Sequence, residues 1–235
     1  MLSLTPLGTN GLYPTDKPTS GYLVKGDNAA ILLDIGSGVF ARLINAIDVK
    51  SLNALVISHF HFDHASDIGV LKYYLESNGL KLKVFAPLDD SPLCKVVTGS
   101  KCFDFTPIHN LQKVEINGLL LGFYQVNHPV LTFGVKITDN VKTLAYTADT
   151  NLCDNLDNLL SGADLALMDC CILNGMWKES SPHLSAKLCA ELGKKHGVNV
   201  LLTHFKPNLN QPALLYEAKR FYPNCELALL KEYTL

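Results

Sequence analysis

Leu55-Val56-Ile57-Ser58-His59-Phe60-His61-Phe62-Asp63-His64 runs from an apolar segment straight into three histidines and an aspartate. The run Asn53 to Ser58 reads as a buried strand, being short and rich in apolar and β-branched residues. In a roughly extended loop beyond it, successive side chains alternate. Residues 59, 61 and 63 then point one way and the phenylalanines the other. A tight turn brings His64 back to the same side. Two imidazoles and a carboxylate thereby converge on one point, and nitrogen and oxygen donors of this kind suit zinc and similar ions. So dense an arrangement at a strand end is not the pattern of an ordinary solvated loop.

Working outward, the same pattern repeats. His128 follows the strand-like run Leu119 to Val126 and precedes Pro129. Asp149 follows Thr143 to Thr147, and His204 follows Asn199 to Thr203. Each alone is unremarkable. Together they place a potential ligand immediately after an apolar strand three more times, and strand ends along one sheet edge lie close in space.

The remaining chain fits two sheets with helices on their outer faces. Strands are expected at Leu2 to Pro6, Gly21 to Lys25, Ala30 to Ile35, Lys83 to Ala86, Lys113 to Ile116 and Phe133 to Thr138. Later ones are expected at Asp164 to Met168 and Glu226 to Leu230. Apolar residues three or four apart predict helices through Val39, Leu43, Ile44 and Ile47, and through Ile68, Leu71 and Leu75 as far as Gly79. Two more helices are expected at Ser185 to His196 and Pro212 to Phe221. Ser185 serves as N-cap and Gly197 as the C-terminal stop of the first of these. No repeat or linker interrupts the chain. Its 235 residues suit one domain, residues 1–235, around one core.

Charged residues make up 18% of the chain and the hydrophobic class 48%, which excludes a disordered protein. The net charge is -2, and Arg42 and Arg220 are the only arginines, so a long grip on a polyanion is excluded. The seven cysteines are odd in number and contain no C-x-x-C pair, which points to a reduced, cytoplasmic setting. Adjacent Cys170 and Cys171 read as buried small hydrophobes. Met1 to Tyr13 lacks the features of a signal peptide. No apolar run approaches the ~18 residues of a membrane span, so no membrane association is expected.

On these residues the chain resembles the metallo-β-lactamase superfamily, in the branch that includes ribonuclease Z and small phosphodiesterases. Asp34, in Leu33-Asp34-Ile35-Gly36, matches the first motif, where the aspartate supports the metal loop. His59, His61, Asp63 and His64 match the second, and His128, Asp149 and His204 the third, fourth and fifth. The resemblance implies an α/β fold, the four-layer αβ/βα sandwich, with metals at one edge. It implies two divalent ions, zinc by default, with manganese or iron compatible with the same donors. One ion takes His59, His61, His128 and Asp149. The other takes Asp63, His64, Asp149 and His204. Asp149 bridges both, and the β-lactamases that give the superfamily its name lack this aspartate. Pro182-His183-Leu184-Ser185-Ala186 resembles a segment whose non-ligand histidine faces the scissile phosphate, although Pro182 stands where relatives often have Gly. Asp169 corresponds to an acidic residue that orients a ligand. His109 and His196 match nothing.

The implied activity is hydrolysis of a small or single-stranded phosphodiester by a metal-bridging hydroxide. Asp63 would orient the hydroxide and His183 would act as acid. The expected partner is a small-molecule or short nucleotide substrate, and a homodimer is compatible with the sequence. Two other classes share the ligands. A tRNA-processing ribonuclease Z would insert a long tRNA-clamping arm, but only about 20 residues separate His128 from Asp149 and about 33 separate Asp149 from His183. A glyoxalase II-like thioesterase would add a C-terminal helical region for its thiol substrate, whereas only 31 residues follow His204 here, and the His183 segment counts against a lactonase.

Overall fold

The computed structural model describes residues 1–235. The first half of the chain supplies strands β1 (Ser3–Gly8), β2 (Gly21–Lys25), β3 (Ala30–Leu33), β4 (Ala54–Val56), β5 (Leu82–Ala86) and β6 (Phe103–Pro107). The second supplies β7 (Lys113–Ile116), β8 (Leu119–Gln125), β9 (Phe133–Thr138), β10 (Thr143–Tyr146), β11 (Leu165–Asp169), β12 (Asn199–Thr203) and β13 (Cys225–Leu227). A last strand, β14 (Tyr233–Thr234), returns to pair with β1, so each sheet has seven strands. The helices are α1 (Val39–Ala46), α2 (Phe62–Ala65), α3 (Ile68–Ser77), α4 (Pro92–Thr98), α5 (Asn155–Leu160), α6 (Ala186–His196) and α7 (Gln211–Phe221).

Both faces of the central strands are apolar, and this dictates the layering. In β3, Ile31 and Leu33 face the second sheet, where they meet Phe123, Phe133 and Val135. Leu32, between them, faces outward onto α1 and α3 through Val39, Leu43 and Ile68. The second sheet repeats the scheme: Ala145, Ala166 and Met168 face Leu159 of α5, Ala190 of α6 and Leu214 of α7. The result is helix, sheet, sheet, helix, the four-layer sandwich that the resemblance implies. Each fully buried Leu or Ile contributes roughly 1.5–3 kcal/mol.

Strand direction positions the site. Strands β3 to β6 are parallel, as are β10 to β13. Strand β9 is antiparallel to both β10 and β8, so β8 and β10 run the same way. The C-terminal ends of β8, β10, β11 and β12 therefore share one edge, and those of β3 and β4 share one edge of the other sheet.

Most boundaries fall within two residues of those expected. Ser185 caps α6 by accepting from Leu188 N, and Gly197 closes it at φ 66°. Helices α4 and α5 and strands β6 and β14 were not anticipated from the sequence. The two helices, at seven and six residues, are too short to establish a 3.6-residue period. Strand β6 ends in Pro107, which fits its place at a sheet edge. No helix is long and apolar enough to cross a membrane.

Candidate metal centre

Strand β4 stops at Val56 because the backbone beyond it is taken over by Asp34. Ser58 N donates to Asp34 Oδ1 at 2.7 Å, and Ser58 Oγ donates to Oδ2 at 2.9 Å. The segment beyond is not extended through residue 63, as the sequence suggested. His61 sits at the N-cap of the helical turn α2. His64 N and Ala65 N both donate to its carbonyl, at 3.0 and 3.1 Å. A helical turn lets the consecutive residues Asp63 and His64 both face inward, which an extended strand forbids. The phenylalanines consequently part: Phe60 is buried and Phe62 is 69% exposed.

The structure brings together every residue that the sequence pattern and the family resemblance assigned to metal. His59 Nε2 lies 3.0 Å from His61 Nδ1, and His128 Nε2 lies 3.2 Å from the same atom. Asp149 Oδ2 is 3.9 Å from both His59 Nε2 and His128 Nε2. On the other side, His64 Nε2 is 3.2 Å from Asp149 Oδ1. His204 Nε2 is 3.2 Å from both Asp149 Oδ2 and Asp63 Oδ2. Asp149 thus stands between two donor groups, His59/His61/His128 and Asp63/His64/His204. Three residues at these strand ends, Asp34, Ala148 and His204, adopt left-handed φ of 57°, 52° and 56°. Such values are uncommon outside glycine and turn the chain sharply at the sheet edge.

Hydrogen bonds behind the rings fix which nitrogen faces inward. Ser58 Oγ donates its single proton to Asp34, so it accepts from His59 Nδ1, 3.0 Å away. His64 Nδ1 donates to Asp34 Oδ2 at 2.8 Å. His128 Nδ1 lies 3.1 Å from the Pro182 carbonyl, which can only accept. Each ring carries its proton on Nδ1 and aims the Nε2 lone pair into the cluster, the tautomer a metal requires. Asp34 also accepts from Tyr146 OH at 2.7 Å. It acts as a hub beneath the metal loop, as the resemblance implied.

Orphaned atoms show that the donor set fits divalent ions. His64 Nε2 and Asp149 Oδ1 are buried, face each other, and make no hydrogen bond. Nitrogen and carboxylate donors left bare in this way are costly unless a cation satisfies them. The charges agree. Burial pushes the Asp149 carboxyl up, but His204 and His64 outweigh it and hold it well below the usual range. Burial disfavours charge on His64, yet Asp149 and Asp34 raise it to about 10. His204 is raised in the same way, chiefly by Asp149 against its burial. His59, His61 and His128 are instead lowered, first by burial. The carboxylates that raise His64 and His204 would equally favour a cation in that place.

His183 lies beside the cluster. Its Nδ1 is 2.9 Å from Asp169 Oδ2 and 3.9 Å from Asp149 Oδ2, and its ring stacks on His204 with centroids 5.1 Å apart. Burial lowers its pKa, but Asp169 outweighs this and raises it. Asp169 also accepts from Thr150 N and stands 3.4 Å from His204 Nδ1, so it braces both histidines. Pro182 supplies the carbonyl that orients His128. His109 is exposed, and His196 pairs with Asp157 at 2.8 Å at the end of α6. Cys170 and Cys171 are buried, as expected. Sequence reasoning missed Ser58, Tyr146 and Asn151. Asn151 accepts from Trp177 Nε1 and donates to the Glu179 carbonyl, tying down the loop that carries His183. Ser58 could have been found from its place just before His59. Tyr146 and Asn151 carry no local signal.

The profile of the Beta-lactamase superfamily domain matches residues 29–205. The chain belongs to the beta-lactamase superfamily. Among its relatives is the probable metallo-hydrolase YhfI of Bacillus subtilis (strain 168), 28% identical over 214 residues and 86% of each chain. The crystal structure of YhfI from that organism superposes with a TM-score of 0.91 at 25% identity, covering 99% of this chain and 98% of the other. Ribonuclease Z of Sulfolobus acidocaldarius is 24% identical over 277 residues, 94% of each chain. A diphosphatase of the PhnP family shares the fold, with a TM-score of 0.76 at 18% identity over 100% and 98% of the two chains.

Proposed function

We propose that this protein is a metal-dependent hydrolase that binds two divalent ions, zinc by default, and cleaves a small or single-stranded phosphodiester. His59, His61, His128 and Asp149 would hold one ion, and Asp63, His64, Asp149 and His204 the other. Bound there, such ions supply water activation at neutral pH and neutralise charge on the attacked group. Two divalent cations outweigh Asp63 and Asp149, so the pocket attracts an anionic ester without a basic patch.

The observation that carries the choice of reaction is His183 on Asp169. Asp169 holds the ring at 2.9 Å and raises its pKa, which favours the protonated form an acid needs, and His183 lies outside the proposed ligand set. A phosphodiester expels an alkoxide, which needs a proton, whereas a thioester expels a thiolate that leaves unaided; a lactone also expels an alkoxide, and against it the reading rests on the surplus positive charge of the pocket. His183 therefore gives its proton to the departing oxygen, and Asp169 holds the ring for it. Asp63, fixed by Leu12 N at 2.7 Å, aligns the attacking water. The relatives named ribonuclease Z and diphosphatase support phosphoester chemistry. The short interval from Asp149 to His183 and the net charge of -2 argue against an extended nucleic-acid grip, so the partner is a small or short nucleotide substrate. A cytoplasmic location is supported by seven cysteines, all free.

The test is kcat/KM on metal-quantified protein at two salt concentrations. The panel comprises p-nitrophenyl phosphodiesters, cyclic nucleotides, short RNA, a tRNA precursor, lactones and lactoylglutathione. Diesters are expected to lead, with a shallow salt dependence because few counterions are released. A lactone or thioester that beats every diester would overturn the reaction class. A tRNA precursor that leads, with a steep salt slope, would restore tRNA processing.

A further inference from the structure

The loop between β1 and β2 reaches across the edge of the sandwich and touches both sheets. Phe205 N donates to the Thr9 carbonyl and Gly11 N donates to the Phe205 carbonyl, each at 2.9 Å. This pair of bonds clasps the chain just beyond His204. Asn10, almost fully buried, holds the loop from within by donating to Thr15 Oγ1 and the Lys17 carbonyl. At Gly11 the backbone lies against the His204 ring. A Cβ there would fall 2.6 Å from Cε1, 2.8 Å from Nε2 and 2.9 Å from Nδ1. These distances are shorter than any side chain tolerates, and the ring is itself packed against His183 and His64. The next residue, Leu12, takes a left-handed φ of 64° although its side chain is half exposed. No packing of that side chain accounts for the strain. The backbone does: this turn aims Leu12 N–H at Asp63 Oδ2, 2.7 Å away.

We infer that Gly11 and the Leu12 amide are the positioning elements of the Asp63/His64/His204 half of the centre. Gly11 sets the plane of the His204 ring, and the Leu12 N–H sets the rotation of the Asp63 carboxylate. Asp63 lies in the turn that follows β4 of the first sheet and His204 just beyond β12 of the second, so one two-residue turn aligns donors from both sides. The other half, His59/His61/His128, forms no hydrogen bond with Gly11 or Leu12, so the turn does not set its donors. The inference rests on the two-ion reading above.

The test compares wild type with Gly11→Ala and with a semisynthetic chain in which the Gly11–Leu12 amide is replaced by an ester, deleting that one donor. Gly69→Ala is the control, because a Cβ at Gly69 meets nothing within 4 Å. Metal-stripped proteins are titrated with zinc against a chelator, and the His204 imidazole signals are followed by NMR in the metal-free state. Both changes at the turn are expected to weaken one of two zinc ions about tenfold to a hundredfold, the usual effect of losing a group that orients a ligand. The other ion and the Gly69→Ala protein keep wild-type affinity. His204 signals move in Gly11→Ala and stay in Gly69→Ala. Equal weakening of both ions, or no weakening in either turn variant, overturns the inference. If wild type takes up a single ion, the two-ion reading fails. The inference is then decided by the His204 signals alone, and unmoved signals in Gly11→Ala sink it.

Discussion

Replacing Asp34 by Asn tests the hub beneath the metal loop at nearly constant shape. Asp34 is fully buried and accepts four hydrogen bonds, from Ser58 N, Ser58 Oγ, His64 Nδ1 and Tyr146 OH. Three of these converge on Oδ2. An asparagine does best by placing its oxygen there and turning its NH2 toward Ser58 N–H. That leaves Ser58 N–H and the new NH2 facing each other without an acceptor, at about 1–3 kcal/mol. The three surviving bonds lose their charged acceptor, and each weakens by roughly 1 kcal/mol. The total is about 4–6 kcal/mol, much of a typical domain's stability. In a chain of this size it lowers Tm by roughly 10–20 °C. His64 keeps its tautomer but becomes a poorer donor, so zinc affinity on its side falls about tenfold to a hundredfold. Calorimetry of the metal-stripped protein and a chelator-competition titration read the two effects separately. Tyr146→Phe deletes one donor and leaves the carboxylate, so it should cost only about 1 kcal/mol. An Asp34→Asn protein that melts like Tyr146→Phe and holds zinc like wild type would refute the hub.

Metal analysis after reconstitution should find two ions per chain in wild type, and Asp149→Ala should lose both; a variant that retained one tightly would show that Asp149 does not bridge. In the metal-free chain the pKa of His64 is raised to about 10, and that of His204 is raised as well. At pH 8 His64 carries a proton that an ion must expel, so zinc uptake should release about one proton from it. Zinc affinity should climb with pH until His64 is neutral near 10. Calorimetry in buffers of different ionisation enthalpy measures the release, and its absence would contradict the charge pattern. His183→Ala should keep both ions and lose about 10²–10⁴-fold in kcat on diesters that expel an alkoxide. On p-nitrophenyl diesters, whose leaving group needs no proton, the loss should be far smaller. An equal loss on both would remove the acid role.

The ligand positions were legible because chemistry there is written locally. An apolar strand followed at once by His or Asp is visible at residues 59, 128, 149 and 204 without knowledge of the fold. The pairing of Pro182 and His183 with a helix start at Ser185 was likewise readable. The conformation of the ligand loop was not. Whether Asp63 and His64 alternate or share a helical turn depends on where their carbonyls are anchored, and the anchors, Ile35 N and Ser20 N, lie in other segments. The supports were least visible. Tyr146 looks like any aromatic in a strand, and only the crossing of β10 over Asp34 gives its hydroxyl a task. Gly11 looks like turn punctuation until His204, 193 residues later, is laid against it.

Donors from both sheets also impose an order of events on the growing chain. His59 to His64 emerge from synthesis long before Asp149 and His204. Until β10 and β12 are laid down, these histidines stand without the Asp149 carboxylate and the His204 imidazole. On the proposed two-ion reading, an ion captured at that stage would have too few ligands to be retained, and its identity would be decided by the finished sandwich rather than by whichever metal arrives first. Refolding in mixed metals should therefore yield the same ion content as loading the folded protein.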